Sequence, residues 1–160
     1  RGRRLTRSSV DSDGYVHPDP TVLAGSLPQD LYSLARVISS EWGSGGRPAE
    51  KAAIAWVVKN EAEHRRTTIT GLVTKNGLYG KQAQERFVGS SLDPYEDDLA
   101  VARSVWTSSF DPTGGAVRFH HPGGLVDADK IHARRLAEGF QPVSVAGTRG
   151  DLIVFYRRAA

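Results

Sequence analysis

The sequence predicts a single α+β domain that is mostly helical and carries a small β-sheet. Apolar residues recur at helical spacing in several segments, whereas two short segments in the second half of the chain have the apolar and aromatic pattern of strands. The 160 residues include no cysteine, which excludes disulfide frameworks, thiolate zinc sites and cysteine nucleophiles. A chain of this length buries about 70% of its unfolded surface, so it needs no disulfide or structural metal to form a core.

Residues 1–26 are predicted to form an extended leader, and residues 27–160 the folded domain. The leader begins with a basic arm: Arg1, Arg3, Arg4 and Arg7. This arm accounts for the excess of 21 basic over 18 acidic residues, so the rest of the chain is close to neutral. A nucleic-acid-binding domain would carry basic and aromatic residues together on its folded part, and we therefore expect no nucleic-acid partner. The arm is expected to be a solvated tail or a tether, with contact to an anionic polymer as the alternative.

Two helices open the predicted domain. From Pro28, apolar residues recur with helical spacing, and the segment is closed by glycines; the members of this stripe are Leu31, Leu34, Ala35 and Ile38. Pro48 begins the second helix, which runs to about Glu63 through the apolar segment 52–58 and is predicted to lie in the core. That segment is too short to cross a bilayer, so no membrane span is expected.

The elements that follow alternate between helices, turns and strands. A short helix is predicted over about 68–76, and an ordered loop over 78–91. The acids that follow Asp93-Pro94 favour another helix start. A strand is predicted over 116–120, a last helix over about 127–138 and a closing strand over 151–156.

Glu41 is the most informative single residue, because it continues the apolar stripe of the first helix by three places after Ile38. A carboxyl on an apolar face forms a salt bridge, lies in water at a frayed helix end, or serves a site in which desolvation favours its protonated form. The glycine-rich turn that follows would open the surface beside it to a ligand. Glu41 is thus a candidate general acid, with a helix-end carboxylate as the alternative.

Other reaction classes have weaker support. Ser44 does not lie in the G-x-S-x-G elbow of serine esterases, and no nucleotide-binding glycine loop is present. Five potential metal ligands are close in sequence: His120, His121, Asp127, Asp129 and His132. Neighbouring residues on a strand point to opposite faces, so at most one of His120 and His121 enters a common site. No metal or cofactor is expected, and a metal-dependent hydrolase that uses His120, Asp127 and His132 is the alternative.

Three segments carry a family resemblance. Residues 34–43 read LARVISSEWG, residues 50–60 read EKAAIAWVVKN, and residues 111–122 read DPTGGAVRFHHP. Together they resemble the cell wall hydrolase family typified by the spore cortex-lytic enzymes. In that family an acidic residue ends a helix in an A-R-x-I-x-x-E context, an Ala/Val-rich helix ending in Asn follows, and a D-P-T-G-G-A-x-x-F-x-x-P element closes the site. The match covers most of residues 31–122 in the same order.

The resemblance implies a lysozyme-like fold and cleavage of the β-1,4 bond between N-acetylmuramic acid and N-acetylglucosamine in peptidoglycan. Glu41 matches the catalytic glutamate of the family. The sequence departs from the family pattern at His120-His121, where many relatives have Tyr-Asn. A loop in lysozyme-like relatives that lines the glycan cleft resembles the segment around Gln82. The substrate-binding residues that follow from the resemblance are Tyr79, Gln82, Arg86, Phe119 and His120.

A single carboxyl suits a lytic transglycosylase, as the resemblance also implies, because no second acid for a hydrolytic mechanism is evident in the sequence. The alternatives are a hydrolytic muramidase, the metal-dependent hydrolase, and a catalytically inactive glycan-binding module of a larger wall-penetrating assembly tethered by the arginine arm. Peptidoglycan glycan strands are the expected partner. We expect a location in the cell envelope or outside the cell. The reason is the expected function, and not a targeting segment in the sequence.

Overall fold

The computed structural model describes residues 9–10, 16–17, 28–42, 45–75, 94–124 and 127–159. The elements in chain order are β1 (Ser9–Val10), β2 (Val16–His17), α1 (Pro28–Trp42), α2 (Pro48–His64), α3 (Ile69–Lys75), α4 (Glu96–Thr107), β3 (Arg118–His120), α5 (Ala128–Ala137), β4 (Phe140–Val143) and β5 (Val154–Arg158). The structure is about 54% helical and contains a three-stranded antiparallel sheet. The predicted α+β class, mostly helical with a small sheet, is therefore confirmed.

Helices α1 and α2 form the centre of the hydrophobic core. The predicted stripe of α1 is fully buried from Leu31 to Ile38, and α1 contacts α2, α3 and α4. In α2 every residue from Ala53 to Val58 is buried, so this helix is covered on all sides by its neighbours. The predicted starts at Pro28 and Pro48 are confirmed, because proline at the first turn loses no intrahelical hydrogen bond.

A buried polar cluster joins three helices beside the end of α1. Lys51 Nζ of α2 lies 2.7 Å from Asp98 Oδ1 of α4, and both side chains are buried. Ser39 Oγ of α1 donates to Asp98 Oδ2 at 2.7 Å. Buried charges are tolerated only when they are paired and hydrogen-bonded, so this arrangement holds the three helices in one relative position. Glu41 lies two residues after Ser39 on the same helix, so these contacts also fix the position of its backbone.

A second buried carboxylate ties the sheet region to the helices. Glu50 in the first turn of α2 is fully buried and accepts a hydrogen bond from Arg47 N at 2.8 Å. Arg149, which precedes β5, donates to Glu50 through its guanidinium Nη2 at 2.6 Å, its Nε at 3.0 Å and its backbone N at 2.8 Å. The Arg149 guanidinium is the main cause that lowers the pKa of Glu50 from its ordinary value of 4.5 to about 2.

The strand order of the main sheet is β3-β5-β4, so β5 is central. Phe119 pairs with Phe155 and His120 with Val154, while Val143 of β4 pairs with Phe155 from the other side. The predicted strands over 116–120 and 151–156 are found, with β5 shifted toward the carboxyl terminus. Strand β4 was not predicted from the sequence. It contains Pro142, which an edge strand tolerates because one of its sides makes no ladder hydrogen bonds.

Some predictions fall on residues outside those described. Strands β1 and β2 pair with each other inside the predicted leader, with Ser9 opposite His17 and Val10 opposite Val16. The rest of residues 1–26 and the predicted loop 78–91 are outside the described ranges, so the domain boundary at residue 27 stays a prediction. None of the helices in the described part of the chain is long and apolar enough to cross a membrane.

The Glu50 pair predicts a specific acid sensitivity. Its pKa is about 2 in the fold against 4.5 ordinarily, so the carboxylate stabilises the fold fully above pH 4.5 and loses this effect as the pH falls toward 2. We expect Glu50→Gln to lower the free energy of unfolding by about 2 kcal/mol at pH 6. Urea unfolding of both proteins from pH 6 to pH 2.5 should show the difference shrinking below pH 4.5.

Glu63→Gln is the matched control, because Glu63 lies on the same helix with its side chain exposed. We expect it to change stability by less than about 0.5 kcal/mol at either pH. A difference between wild type and Glu50→Gln that stays constant from pH 6 to pH 2.5 would contradict the assignment of the acid sensitivity to Glu50.

Candidate functional site

Glu41 lies in the last turn of α1 with 16% of its side chain exposed. It borders a cavity of about 270 Å³. The residues that line this cavity come from α1, α2, β3, α5 and their flanks: Glu41, Val57, Val117, Arg118, Phe119, Arg135 and Glu138. A largely buried carboxyl thus borders a space large enough for a small chemical group, beside the aromatic ring of Phe119.

The imidazole of His121 is the hydrogen-bond partner of the Glu41 carboxyl. His121 Nε2 lies 2.9 Å from Glu41 Oε2, and Nδ1 lies 3.1 Å from the carbonyl oxygen of Leu152. The ring stands nearly perpendicular to those of Trp42 and Phe119, with centroid distances of 5.2 and 5.9 Å. The hydrogen bond to Glu41 raises the pKa of His121 above 6.5, against the opposite effect of burial.

His120 lies on the opposite face of β3 from Phe119 and His121, as strand alternation predicts. Its ring stacks on that of Tyr156 at 5.6 Å, and His132 Nδ1 lies 2.9 Å from the Tyr156 hydroxyl. Burial is the main cause that lowers the pKa of His120. The structure therefore brings Phe119 and His121 to Glu41 and places His120 in a different cluster, so its contact with substrate stays a prediction.

Three further predicted substrate-binding residues, Tyr79, Gln82 and Arg86, lie outside the described residues. The predicted cleft is therefore described from one side only, the side of α1 and β3. On that side, Glu41 and Phe119 are both present at the cavity.

The D-P-T-G-G-A segment is a turn organised around Asp111. Asp111 Oδ1 accepts hydrogen bonds from Thr113 N at 2.8 Å and Thr113 Oγ1 at 2.7 Å, and Oδ2 accepts from Gly115 N at 3.0 Å. Gly114 and Gly115 have φ values of +62° and +92°, which residues with a side chain rarely adopt. The motif therefore shapes the chain that leads into β3.

Asn60 of α2 docks this turn on the helix core. Its Nδ2 donates to Asp111 Oδ2 at 2.8 Å and to the carbonyl oxygen of Ala116 at 3.0 Å. Two residues later, Arg118 Nη1 lies 2.8 Å from Oε2 of Glu61, a buried carboxylate next to Asn60. The asparagine that ends the Ala/Val-rich segment and the D-P-T-G-G-A turn thus form one structural unit, which fixes β3 against α2.

Gly46 packs against the indole of Trp42, the residue that follows Glu41. A Cβ atom at Gly46 would lie 2.7 Å from Trp42 Cγ, and its φ of +77° also requires glycine. The Trp42 ring also contacts His121. The close packing of Gly46 on Trp42 therefore helps to position the imidazole beside Glu41.

The three residues of the alternative metal-site hypothesis, His120, Asp127 and His132, do not meet at one point. Asp127 caps α5 by accepting hydrogen bonds from Asp129 N and Lys130 N, while His120 and His132 contact Tyr156. Over the described ranges, no group of three His, Asp or Glu side chains converges as metal ligands.

Sequence reasoning missed two residues of the site. His121 directly follows β3 and lies two residues after Phe119. Strand alternation continued by one residue therefore places both side chains on the same side, which the sequence could have indicated once Phe119 was assigned to the cleft. Glu138, the C-cap residue of α5, lines the same cavity as Glu41 and forms a 3.0 Å ion pair with Arg135. No local pattern marks Glu138, because its place depends on how α5 packs on the sheet.

No family model, curated protein or solved structure matches the chain. The lysozyme-like fold and the activity that the resemblance implies are accordingly proposals. Their support is the set of motifs in the sequence and the geometry around Glu41.

The Asp111 turn yields a stability prediction. Asp111→Asn keeps the shape of the side chain but turns an N–H₂ group toward some of the four donors that the carboxylate accepts from. We expect a loss of about 2–3 kcal/mol in the free energy of unfolding, measured by urea denaturation. Asp129→Asn, at an exposed position of α5, should cost less than about 0.5 kcal/mol, and equal effects of the two changes would contradict the structural role of Asp111.

Adjacent glycines provide a matched pair of variants for the turn after α1. Gly46→Ala introduces a Cβ that collides with Trp42 in a left-handed backbone, and we expect it to cost about 2 kcal/mol or more. Gly45→Ala meets only ordinary contacts, the nearest at 3.4 Å, and should be close to neutral. Thermal unfolding measures both changes, and near-ultraviolet circular dichroism reports the environment of Trp42. Equal melting temperatures for the two variants would rule out the packing constraint.

Proposed function

We propose that the protein cleaves the glycan strands of peptidoglycan as a lytic transglycosylase, with Glu41 as its acid and base. The observation that carries this proposal is the placement of Glu41: a largely buried carboxyl at the end of a core helix, beside a cavity that it shares with Phe119. The motifs that resemble cell wall hydrolases converge on the same place, because the Asn60–Asp111 unit sets β3 beside Glu41.

The architecture around Glu41 supports a lysozyme-like fold as part of the proposal. The residue lies in the last turn of a helix in the core, and a three-stranded antiparallel sheet presents β3 beside it. The remaining wall of the cleft is assigned to the segment that contains Tyr79, Gln82 and Arg86, on the basis of the family resemblance. The proposed substrate places the protein in the cell envelope or outside the cell.

The proposed reaction needs one carboxyl group. Glu41 donates its proton to the bridging oxygen as the bond between this oxygen and C1 of N-acetylmuramic acid breaks. The substrate's own N-acetyl group stabilises the cationic C1. The C6 hydroxyl oxygen then bonds to C1 and gives its proton to Glu41, which restores the starting state. The products are a 1,6-anhydro sugar and a new terminal N-acetylglucosamine, and no water is consumed.

A hydrolytic muramidase is the second candidate, and the observation that favours it is Glu138 in the same cavity. A hydrolase uses a second carboxylate as a base or nucleophile. Glu138 has 47% of its side chain exposed and is paired with Arg135. Because the Glu138 carboxylate is already engaged in this ion pair, the arrangement favours the single-carboxyl mechanism.

Product analysis tests the proposal. Purified peptidoglycan is digested with wild type and with Glu41→Gln, and soluble fragments are identified by mass spectrometry. We expect 1,6-anhydro muropeptides from wild type and a rate at least about 10³-fold lower from Glu41→Gln, because the amide cannot donate the proton. Glu63→Gln, an exposed change on α2, is the control and should retain the wild-type rate.

Other products distinguish the alternatives. Reducing-end fragments that disappear in Glu138→Gln would establish the hydrolase. Loss of cleavage with a chelator, restored by zinc, would favour the metal-dependent enzyme. Tight sedimentation with insoluble peptidoglycan without released fragments would identify a glycan-binding module. Each of these three results would overturn the transglycosylase assignment.

A further inference from the structure

The contacts of His121 determine where its protons lie. Its Nδ1 faces the carbonyl oxygen of Leu152 at 3.1 Å, and a carbonyl oxygen only accepts hydrogen bonds. Nε2 faces a second acceptor, because it lies 2.9 Å from Glu41 Oε2. A neutral imidazole has a single N–H and can donate to only one of these two oxygens, whereas the imidazolium donates to both.

A proton must then lie between the two side chains. With neutral His121 and ionised Glu41, one of the two ring nitrogens would turn a lone pair toward an oxygen atom at hydrogen-bond distance, which is repulsive. The contact is favourable when the pair holds one more proton, either on Nε2 as imidazolium or on Oε2 as carboxylic acid. The geometry thus makes Glu41 and His121 a unit that shares a single proton.

We propose that His121 holds, at neutral pH, the proton that Glu41 gives to the glycosidic oxygen, and so acts as a positioning residue for the acid. This role rests on the proposed function. In the first step the shared proton moves from Nε2 to Oε2, and the O–H turns toward the bridging oxygen and protonates it as the C1–O bond breaks. His121 is then neutral and its lone pair faces the Glu41 carboxylate. Glu41 then takes the proton of the C6 hydroxyl, and the shared proton is restored.

The other charged groups around the pair are engaged elsewhere. On β3, Arg118 is bound to the buried carboxylate of Glu61, and His120 faces the opposite side of the strand. Across the cavity, Arg135 of α5 is paired with Glu138. From α1 and β3, the rings of Trp42 and Phe119 flank the imidazole and contribute no charge.

Solvent exposure supports the same role. His121 has 31% and Glu41 16% of the side chain exposed, so a proton between them is partly shielded from water. The hydrogen bond to Glu41 is also the largest cause that raises the pKa of His121, which favours a proton between the two side chains. An imidazole titrates near ~6.5 and a glutamate carboxyl near ~4.3 in water, so a shared proton persists at a pH at which a lone carboxyl has lost its own.

The decisive variant is His121→Gln, whose amide nitrogen can reach Glu41 but cannot titrate. Muropeptide release is measured from pH 4 to pH 9 for wild type, His121→Gln and the exposed-histidine control His64→Gln. We expect the alkaline limb of the His121→Gln profile to move down by about two pH units, with at least a tenfold loss at pH 7 and a recovery of activity as the pH falls toward 4. His64→Gln should keep the wild-type profile. An unshifted limb in active His121→Gln would overturn the role of His121 and leave the transglycosylase assignment intact.

Nitrogen-15 NMR tests the shared proton without any activity. In wild type we expect the titration point of His121 to lie above 6.5, with hydrogen on both ring nitrogens below it. In Glu41→Gln we expect its titration point to fall by at least one pH unit, because the carboxylate that stabilises the imidazolium is lost. A titration point that is the same in both proteins, or a wild-type ring that is neutral at pH 6.5, would refute the shared proton. This result stands even where His121→Gln fails to fold or peptidoglycan is not cleaved.

Discussion

The contact between Asn60 and Asp111 positions the two halves of the site relative to each other. One amide group of α2 binds both the carboxylate that organises the turn and the backbone oxygen of Ala116 just before β3. Because β3 has three residues, a displacement of its start would move every side chain it presents. The separation between Phe119, His121 and the end of α1 is therefore set by the hydrogen bonds that Asn60 makes to the turn and to Ala116.

Paired buried charges fix the relative positions of the helices beside the site. Asp98 joins α1, α2 and α4 through Ser39 and Lys51 beside the last turn of α1. Such groups add little net stability compared with apolar packing, but their fixed partners specify one arrangement of the helices. In the proposed reaction Glu41 benefits from this arrangement, since an error of about 1 Å in the position of a reacting group costs much of the rate.

The sequence was sufficient for features that depend on local pattern. The stripe through Leu31 and Ile38 predicted both the first helix and the place of Glu41, and the alternation on β3 predicted that His120 and His121 face opposite sides. Strand β4 and Glu138 could not be predicted, because their positions depend on contacts between segments far apart in the chain. The partner of Glu41 lies 80 residues away, and periodicity does not determine which face of β3 meets α1.

The turn before β5 connects the stability of the fold to the chemistry of the site. Arg149 is held by Glu50, and its carbonyl oxygen accepts hydrogen bonds from the backbone of Leu152 and Ile153. The carbonyl of Leu152 in turn orients His121. Arg149, which does not line the cavity beside Glu41, is thus connected to the imidazole through two backbone carbonyl groups. Under the proposal that Glu41 and His121 share a proton, residues 149–153 are a place where selection or engineering can adjust the working pH of the site while every residue of the cavity stays the same.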